Sequence, residues 1–166
     1  MRIPPPEVWA SFPPYDPAHP ETHGRALVIV NVVFIVIMLL CAFMRFYARI
    51  VTKHWFGWDD ALLGLALFFA INMNIAVMLA NQKYGWNRHI WAIPFGIIQN
   101  ANIVAFVAKI LFTFAATFTR LSLIAFFYRL VKDSGIVWYR WILHISAVWN
   151  IALCITFVFE VIFLCT

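Results

Sequence analysis

Polar and ionisable side chains interrupt a strongly apolar segment in the second half of the chain. Asn102, Lys109, Thr113, Thr117 and Arg120 recur at helical spacing, and on a helix they fall within about a quarter-turn sector. A cation inside a membrane costs at least about 2.5 kcal/mol near its centre unless it is paired, hydrated or close to the surface. We therefore expect this stripe to face the interior of a helix bundle.

Carboxylates elsewhere in the chain are candidate counter-charges for the two cations of the stripe. Glu160 lies at a similar predicted depth to Lys109, so we predict that the two pair; the alternative is an outward-reaching Lys109 and a protonated Glu160. Asp59 and Asp60, at the start of another apolar run, are the nearest acids to Arg120. They are interpreted as a helix N-terminal signal alone, as a cap that also contacts Arg120, or as a site that handles protons or ions.

The chain offers little that would support catalysis or metal binding. His89 and His144 have no second ligand at metal-binding spacing, and the three cysteines match no zinc pattern. Ser122 has no local base arranged around it, and no glycine-rich phosphate loop occurs. We therefore expect no enzyme activity, no catalytic residue, no metal and no cofactor.

Composition identifies the solvent in which these residues lie. Of the 166 residues, 64% are hydrophobic and 11% charged, against about 45–50% and about 25% in a soluble domain. Four apolar runs, at 26–44, 61–80, 103–128 and 142–164, each provide the roughly 20 residues that cross a bilayer as a helix. The sequence predicts an all-α, polytopic transmembrane helix bundle with four spans.

The remaining segments suggest a tail and an orientation. Seven of the eight prolines lie in residues 1–24, which we expect to form a disordered extracellular tail ahead of a transmembrane domain at 25–166. Loops 45–60 and 129–141 hold six basic residues, against four in the tail and loop 81–102. This count places the amino terminus outside and loops 45–60 and 129–141, the first and third loops, in the cytoplasm.

The positive charge of the chain indicates which partners it could contact. The net charge of +5 comes from residues beside apolar runs, which favours contact with the lipid bilayer and argues against nucleic-acid binding.

Residues 86–101 contain Trp86 and Trp91. We expect this segment to be a loop or short helix at the outer interface.

Short motifs in a fixed order carry a family resemblance. They are Arg45-Phe46-Tyr47-Ala48-Arg49, Gly57-Trp58-Asp59-Asp60, Tyr84-Gly85-Trp86-Asn87-Arg88-His89, Thr119-Arg120-Leu121-Ser122 and Phe127-Tyr128-Arg129. Over about residues 25–165 the chain resembles the fungal rhodopsin-domain integral membrane proteins, which include the Pth-type receptor-like proteins of filamentous fungi.

The resemblance implies a seven-helix, rhodopsin-like bundle and, for some members, a receptor-like role in the plasma membrane. The positions that match the family pattern are Arg45, Tyr47, Arg49, Asp59, Asp60 and Ser122. Two positions depart from it, because Arg120 stands where lysine is usual and Asn87 where a second glycine is usual. Only four apolar runs are present, so we expect the chain to be the amino-terminal part of that fold. The family name does not imply a light-sensing pigment.

Three functions remain open at this point. The first is a receptor-like membrane protein that senses a ligand outside. The second is a small transporter or channel subunit that uses the stripe from Lys109 to Arg120, and the third is a structural membrane protein without a ligand. An open polar flank on a four-helix bundle would favour further helices or a second copy as a partner; the sequence identifies no ligand.

Overall fold

Four long helices make up almost all of the described chain. The computed structural model describes Glu7 and residues 26–52, 57–86, 95–132 and 137–164. The helices are α1 (Ala26–Tyr47), which continues as a π-helix (Ala48–Thr52), α2 (Trp58–Lys83), α3 (Phe95–Val131) and α4 (Val137–Leu164). The predicted all-α class and the four predicted spans are confirmed, while the predicted tail at 1–24 lies outside the described residues apart from Glu7.

The surface of these helices is suited to lipid and not to water. Each helix is long and apolar enough to cross a membrane, and only 6–17% of the residues in its candidate spanning window are buried inside the protein. Large side chains such as Ile29, Phe34 and Phe163 are more than half exposed. Because so much apolar area would be unfavourable in water, the chain is an integral membrane protein.

Helix α3 is longer than the sequence predicted. It begins at Phe95 rather than near residue 103 and has 37 residues, which is about 55 Å at 1.5 Å per residue. That length exceeds the roughly 30 Å hydrocarbon layer, so α3 is tilted or extends beyond it. For residues 95–101, the expected loop or short helix is instead the beginning of the long helix α3. Their position at the outer interface stays a prediction, and residues 87–94 are outside the described part.

Helix α3 is also the central element of the bundle. It packs most extensively against α2 and next against α4, whereas α1 packs against α2. Buried alanines recur every seven residues along α3, at Ala101, Ala108 and Ala115. Their small side chains allow the backbones to approach closely. The same seven-residue spacing continues to Ser122 and Arg129, which carries this face of α3 into the site described below.

Aromatic and amide contacts add to the packing around α3. The ring of Phe69 on α2 stacks on Phe114 and Phe118, with centroid distances of 5.3 and 5.5 Å. On the other side, Asn150 Nδ2 donates to the carbonyl of Thr117 at 3.1 Å, a buried bond between α4 and α3. Hydrogen bonds of this kind between helices contribute to the association of membrane helices.

The end of α2 explains one of the sequence motifs. Gly85 has a φ of 71°, the left-handed conformation that glycine adopts without a Cβ clash. The turn lets the N–H of Trp86 donate to the carbonyl of Ala80 at 3.3 Å. Tyr84 and Gly85 therefore have a helix-terminating role in this structure.

Candidate functional site

The most buried charged residues of the described chain gather at one end of the bundle. We call Arg45, Arg49, Asp59, Asp60 and Arg129 the arginine–aspartate cluster. They come from the end of α1 and its π-helix, the first turn of α2 and the last turns of α3. The π-helix begins between the two arginines of α1, and local π-geometry of this kind is frequent at functional sites.

Each of two arginines contacts both aspartates. Arg49 Nη2 lies 2.7 Å from Asp59 Oδ2, and its Nε lies 3.5 Å from Asp60 Oδ1. Arg45 Nη2 lies 3.2 Å from Asp59 Oδ2, and its Nε lies 3.4 Å from Asp60 Oδ1. This crossed arrangement ties α1 to α2 through four ion pairs, which is the use for which the planar guanidinium group is suited.

Arg49, Asp59 and Asp60 of the cluster are buried, and the cluster carries a surplus of positive charge. Asp60 is fully buried and Asp59 is 4% exposed, while Arg129 Nη1 reaches to 4.0 Å from Asp59 Oδ1. Three cations and two carboxylates leave a formal charge of +1. The guanidinium carbons of Arg45 and Arg49 also lie 5.6 and 5.9 Å from the centre of the Phe126 ring, within the range of a cation–π contact.

Two small residues let the aspartates fit between the helices. Ser122 on α3 is 1% exposed, and its hydroxyl donates to the carbonyl of Asp59 at 2.7 Å. Gly57 precedes α2, and its N–H donates to Asp60 Oδ2 at 3.2 Å. A Cβ at Gly57 would overlap Asp59 Oδ1 and come within 3.6 Å of Arg129 Nη1. A side chain here would displace the Asp59 carboxylate, so glycine is favoured by lack of space and not by its φ of −109°.

These contacts decide between the interpretations of Asp59 and Asp60. Asp60 accepts a bond from the N–H of Gly57, the residue that caps α2, so the helix-cap interpretation is confirmed. The predicted contact with Arg120 is wrong, because the counter-charges are Arg45, Arg49 and Arg129. Arg120 precedes Ser122 by two residues, about 200° around α3, and therefore faces another part of the bundle.

The second polar region is a cavity of about 960 Å³ between α3 and α4. We call it the polar groove. Its charged and hydroxyl-bearing lining residues are Lys109, Thr113, Thr117, Arg120 and Glu160. The stripe predicted from helical spacing is therefore brought to one surface, and the carboxylate proposed to accompany it lies on the same surface.

The predicted ion pair in the polar groove is not formed. No ion pair within 4.0 Å involves Lys109, Arg120 or Glu160 in the part of the chain that the structure describes, and all three side chains are exposed. The hydroxyls of Thr113 and Thr117 donate to backbone carbonyls of their own helix, at 2.9 and 2.7 Å. The groove thus presents two cations and one carboxylate that protein groups do not neutralise.

The other residues of the family motifs have mainly packing positions. Tyr47 is exposed and its ring stacks on Phe43 at 6.2 Å. Tyr128 on α3 lies 5.3 Å from the imidazole of His144 on α4, measured between ring centroids. His89 lies outside the described residues. Within the described ranges, no three His, Cys, Asp or Glu side chains converge as metal ligands do.

Sequence reasoning missed the pairing inside the cluster, although the motifs of the family resemblance contain all five of its residues. A signal was present: two arginines four residues apart are followed, across one short loop, by two adjacent aspartates. Opposite charges at the same predicted membrane boundary favour pairing. Phe126 and Asn150 carried no such signal, because an aromatic or amide residue in an apolar run has no obvious partner in the sequence.

Comparison with known proteins identifies one match. A family model described as the fungal rhodopsin domain matches residues 44–166. This range includes all of the arginine–aspartate cluster and the polar groove. No curated protein matches, and no solved structure matches.

Proposed function

Because the chain belongs to the fungal rhodopsin domain family, we propose that it is a receptor-like membrane protein whose ligand binds in the polar groove. The observation that carries this proposal is the contrast between the two charged regions. In the arginine–aspartate cluster both carboxylates are paired, whereas Lys109, Arg120 and Glu160 face a cavity between two membrane helices and form no ion pair with any residue that the structure describes. Intramembrane charges that are left unpaired are costly and mark binding sites or solute pathways.

Helix α3 provides a physical link between the groove and the cluster. Its face with Lys109, Thr117 and Arg120 lines the groove, and its face with Ser122 and Arg129 contacts Asp59. A ligand that changes the spacing of α3 and α4 would therefore shift α3 and alter its contacts with α2. The cluster would be the two-state element that a receptor needs in order to pass on binding.

A structural function is the second candidate, and one observation favours it. The groove leaves an open polar flank on an otherwise apolar surface, and a further helix or a second copy of the chain would cover it. In that case the charged side chains of the groove would pair with groups on the added helix and would hold the assembly together. A transporter or channel subunit would use the same groove, but it would require water access along the whole stripe.

Replacing Lys109 separates a binding site from a structural one. If the cation is held for a ligand, Lys109→Met removes an unpaired charge and leaves the protein as stable as the wild type or more stable, by up to about 2.5–3.5 kcal/mol. If the cation assembles helices, the same change lowers stability. Unfolding of the full chain in nanodiscs is the measurement. Lys83→Met, at the end of α2, is the matched control, and its effect should stay within about 0.5 kcal/mol.

Ligand binding is then tested by stabilisation. The groove carries two cations and one carboxylate, so anionic and zwitterionic amphiphiles are the compounds to screen against the wild type. A bound compound at 100 times its Kd raises the free energy of unfolding by about 2.7 kcal/mol. The Lys109→Met protein should lose this gain. Equal stabilisation of both proteins would place binding elsewhere and contradict the proposal.

We further propose that the protein lies in the plasma membrane with its amino terminus outside and loops 45–60 and 129–141 in the cytoplasm. The support is that the basic residues of the cluster, together with Lys132 and Arg140, lie at one end of the bundle. The chain has no Asn-x-Ser/Thr sequence, so an inserted site reports topology. A site inserted in 87–94 should be glycosylated and one inserted in 133–136 should not; the reverse pattern would invert the orientation.

A further inference from the structure

A second cavity lies at the same end of the bundle as the arginine–aspartate cluster. It has a volume of about 780 Å³, within the range of about 300–1,000 Å³ typical of small-molecule sites. Its basic lining residues are Arg129, Lys132 and His144. Its apolar lining residues include Leu62 of α2, Leu121 and Ile124 of α3, and Leu143 and Ala147 of α4. We call this cavity the basic groove.

The surroundings of the basic groove place its polar rim at the level of the lipid headgroups. Trp58 begins α2 and is 87% exposed, and Trp138 and Trp141 begin α4 and are 80% and 65% exposed. Exposed tryptophans at helix ends form the aromatic belt of a membrane protein. Lys132 directly follows α3 at this same end, so in a bilayer we expect its ammonium group near the level of the phosphates and Leu121 and Ala147 deeper.

We propose that the basic groove binds one anionic phospholipid of the surrounding leaflet. The phosphate would contact Arg129 and Lys132, His144 would supply a further hydrogen-bond donor, and an acyl chain would lie along the apolar walls. The carboxylate of Asp59 also lines the groove and lies 4.0 Å from Arg129 Nη1, but Arg45 and Arg49 engage it more closely, and Lys132 adds a further cation. The local balance therefore favours an anion. Basic pockets between membrane helices bind anionic headgroups in this way.

The chemistry favours a membrane lipid over a small soluble anion. A free phosphate needs only the cations, whereas the groove continues from them into an apolar channel bounded by three helices. Only an amphipathic ligand uses both parts. A phospholipid also reaches this position by diffusion within the bilayer, without crossing a polar phase.

Lipid retention by the full chain tests the proposal. The protein is reconstituted in nanodiscs of equal amounts of phosphatidylglycerol and phosphatidylcholine, released into mild detergent and weighed by native mass spectrometry. We expect retained phosphatidylglycerol to exceed phosphatidylcholine by about five-fold or more, which is the effect of one basic residue on an anionic lipid. Lys132→Gln should lower this preference about five-fold. Lys83→Gln, which makes the same change at the other end of α2, should leave it unchanged.

Two further measurements make the result decisive. Ala147→Phe fills the apolar part of the groove and should lower retention of the lipid without removing a charge. An excess of inorganic phosphate should not displace the lipid. The proposal is overturned if the two lipids are retained equally, if Lys132→Gln and Lys83→Gln behave alike, or if inorganic phosphate competes fully. The last result would make the groove a site for a free anion.

Discussion

Removing one carboxylate from the arginine–aspartate cluster should destabilise the protein more than removing one arginine. The wild-type cluster has three cations and two carboxylates, a formal charge of +1. Asp59→Asn raises this to +2 around a residue that is 4% exposed and lies 2.7 Å from Arg49. Breaking a buried ion pair in this way costs about 3–5 kcal/mol.

The corresponding arginine variant has a smaller expected effect. Arg49→Met lowers the cluster charge to 0 and leaves both carboxylates in contact with Arg45. The loss is that of a hydrogen bond to a charged group, about 1.5–3 kcal/mol. The double variant returns the charge to +1, so its total loss should be smaller than the sum of the two single losses by about 0.5–3 kcal/mol.

The assay is reversible unfolding of the full chain from detergent micelles by dodecyl sulfate, with helicity followed by circular dichroism. Arg120→Met provides the control cycle, because this arginine lies on the groove side of α3 and contacts neither aspartate. Combined with Asp59→Asn, it should be additive within about 0.5 kcal/mol. If Arg49→Met and Asp59→Asn are also additive, the ion pairs described here do not stabilise the fold.

Three smaller perturbations test the groups around the cluster and the bundle. Gly57→Ala forces Asp59 to move and should lower stability, whereas Gly64→Ala, where a Cβ meets nothing within 4 Å, should raise it by about 0.5–1 kcal/mol; equal effects would show that Gly57 is not constrained by space. Ser122→Ala removes a buried hydroxyl donor and should cost about 0.5–1.5 kcal/mol in the same unfolding assay. Asn150→Leu removes the buried bond from α4 to α3 and should cost about 0.6–1.7 kcal/mol, and a gain in stability would show that this bond does not hold the helices together.

The sequence was sufficient for the number of spans because hydrophobic length is a local property. A run of about 20 apolar residues is long enough to cross the bilayer, and as a helix it satisfies its own backbone hydrogen bonds in lipid whatever its neighbours are. Helical spacing was likewise sufficient to gather Lys109, Thr113 and Thr117 on one face, and the structure confirms that this face lines a single groove. The start of α3 was missed because it was predicted from the apolar run that begins at residue 103. Residues 95–101 precede that run and are nevertheless helical.

The pairing of charges was decided by the tertiary structure. Arg120 and Arg129, both on α3, are chemically equivalent candidates for Asp59, and which of them reaches it depends on how α3 is rotated about its axis. The buried face of Ala108, Ala115 and Ser122 determines that rotation. It turns Arg129 toward α2 and Arg120 toward α4. The same rotation places Lys109 on the cavity that Glu160 of α4 also lines, and among the described residues the two form no ion pair. Which charges meet therefore depends on how the helices pack, which the spacing of residues within one helix does not determine.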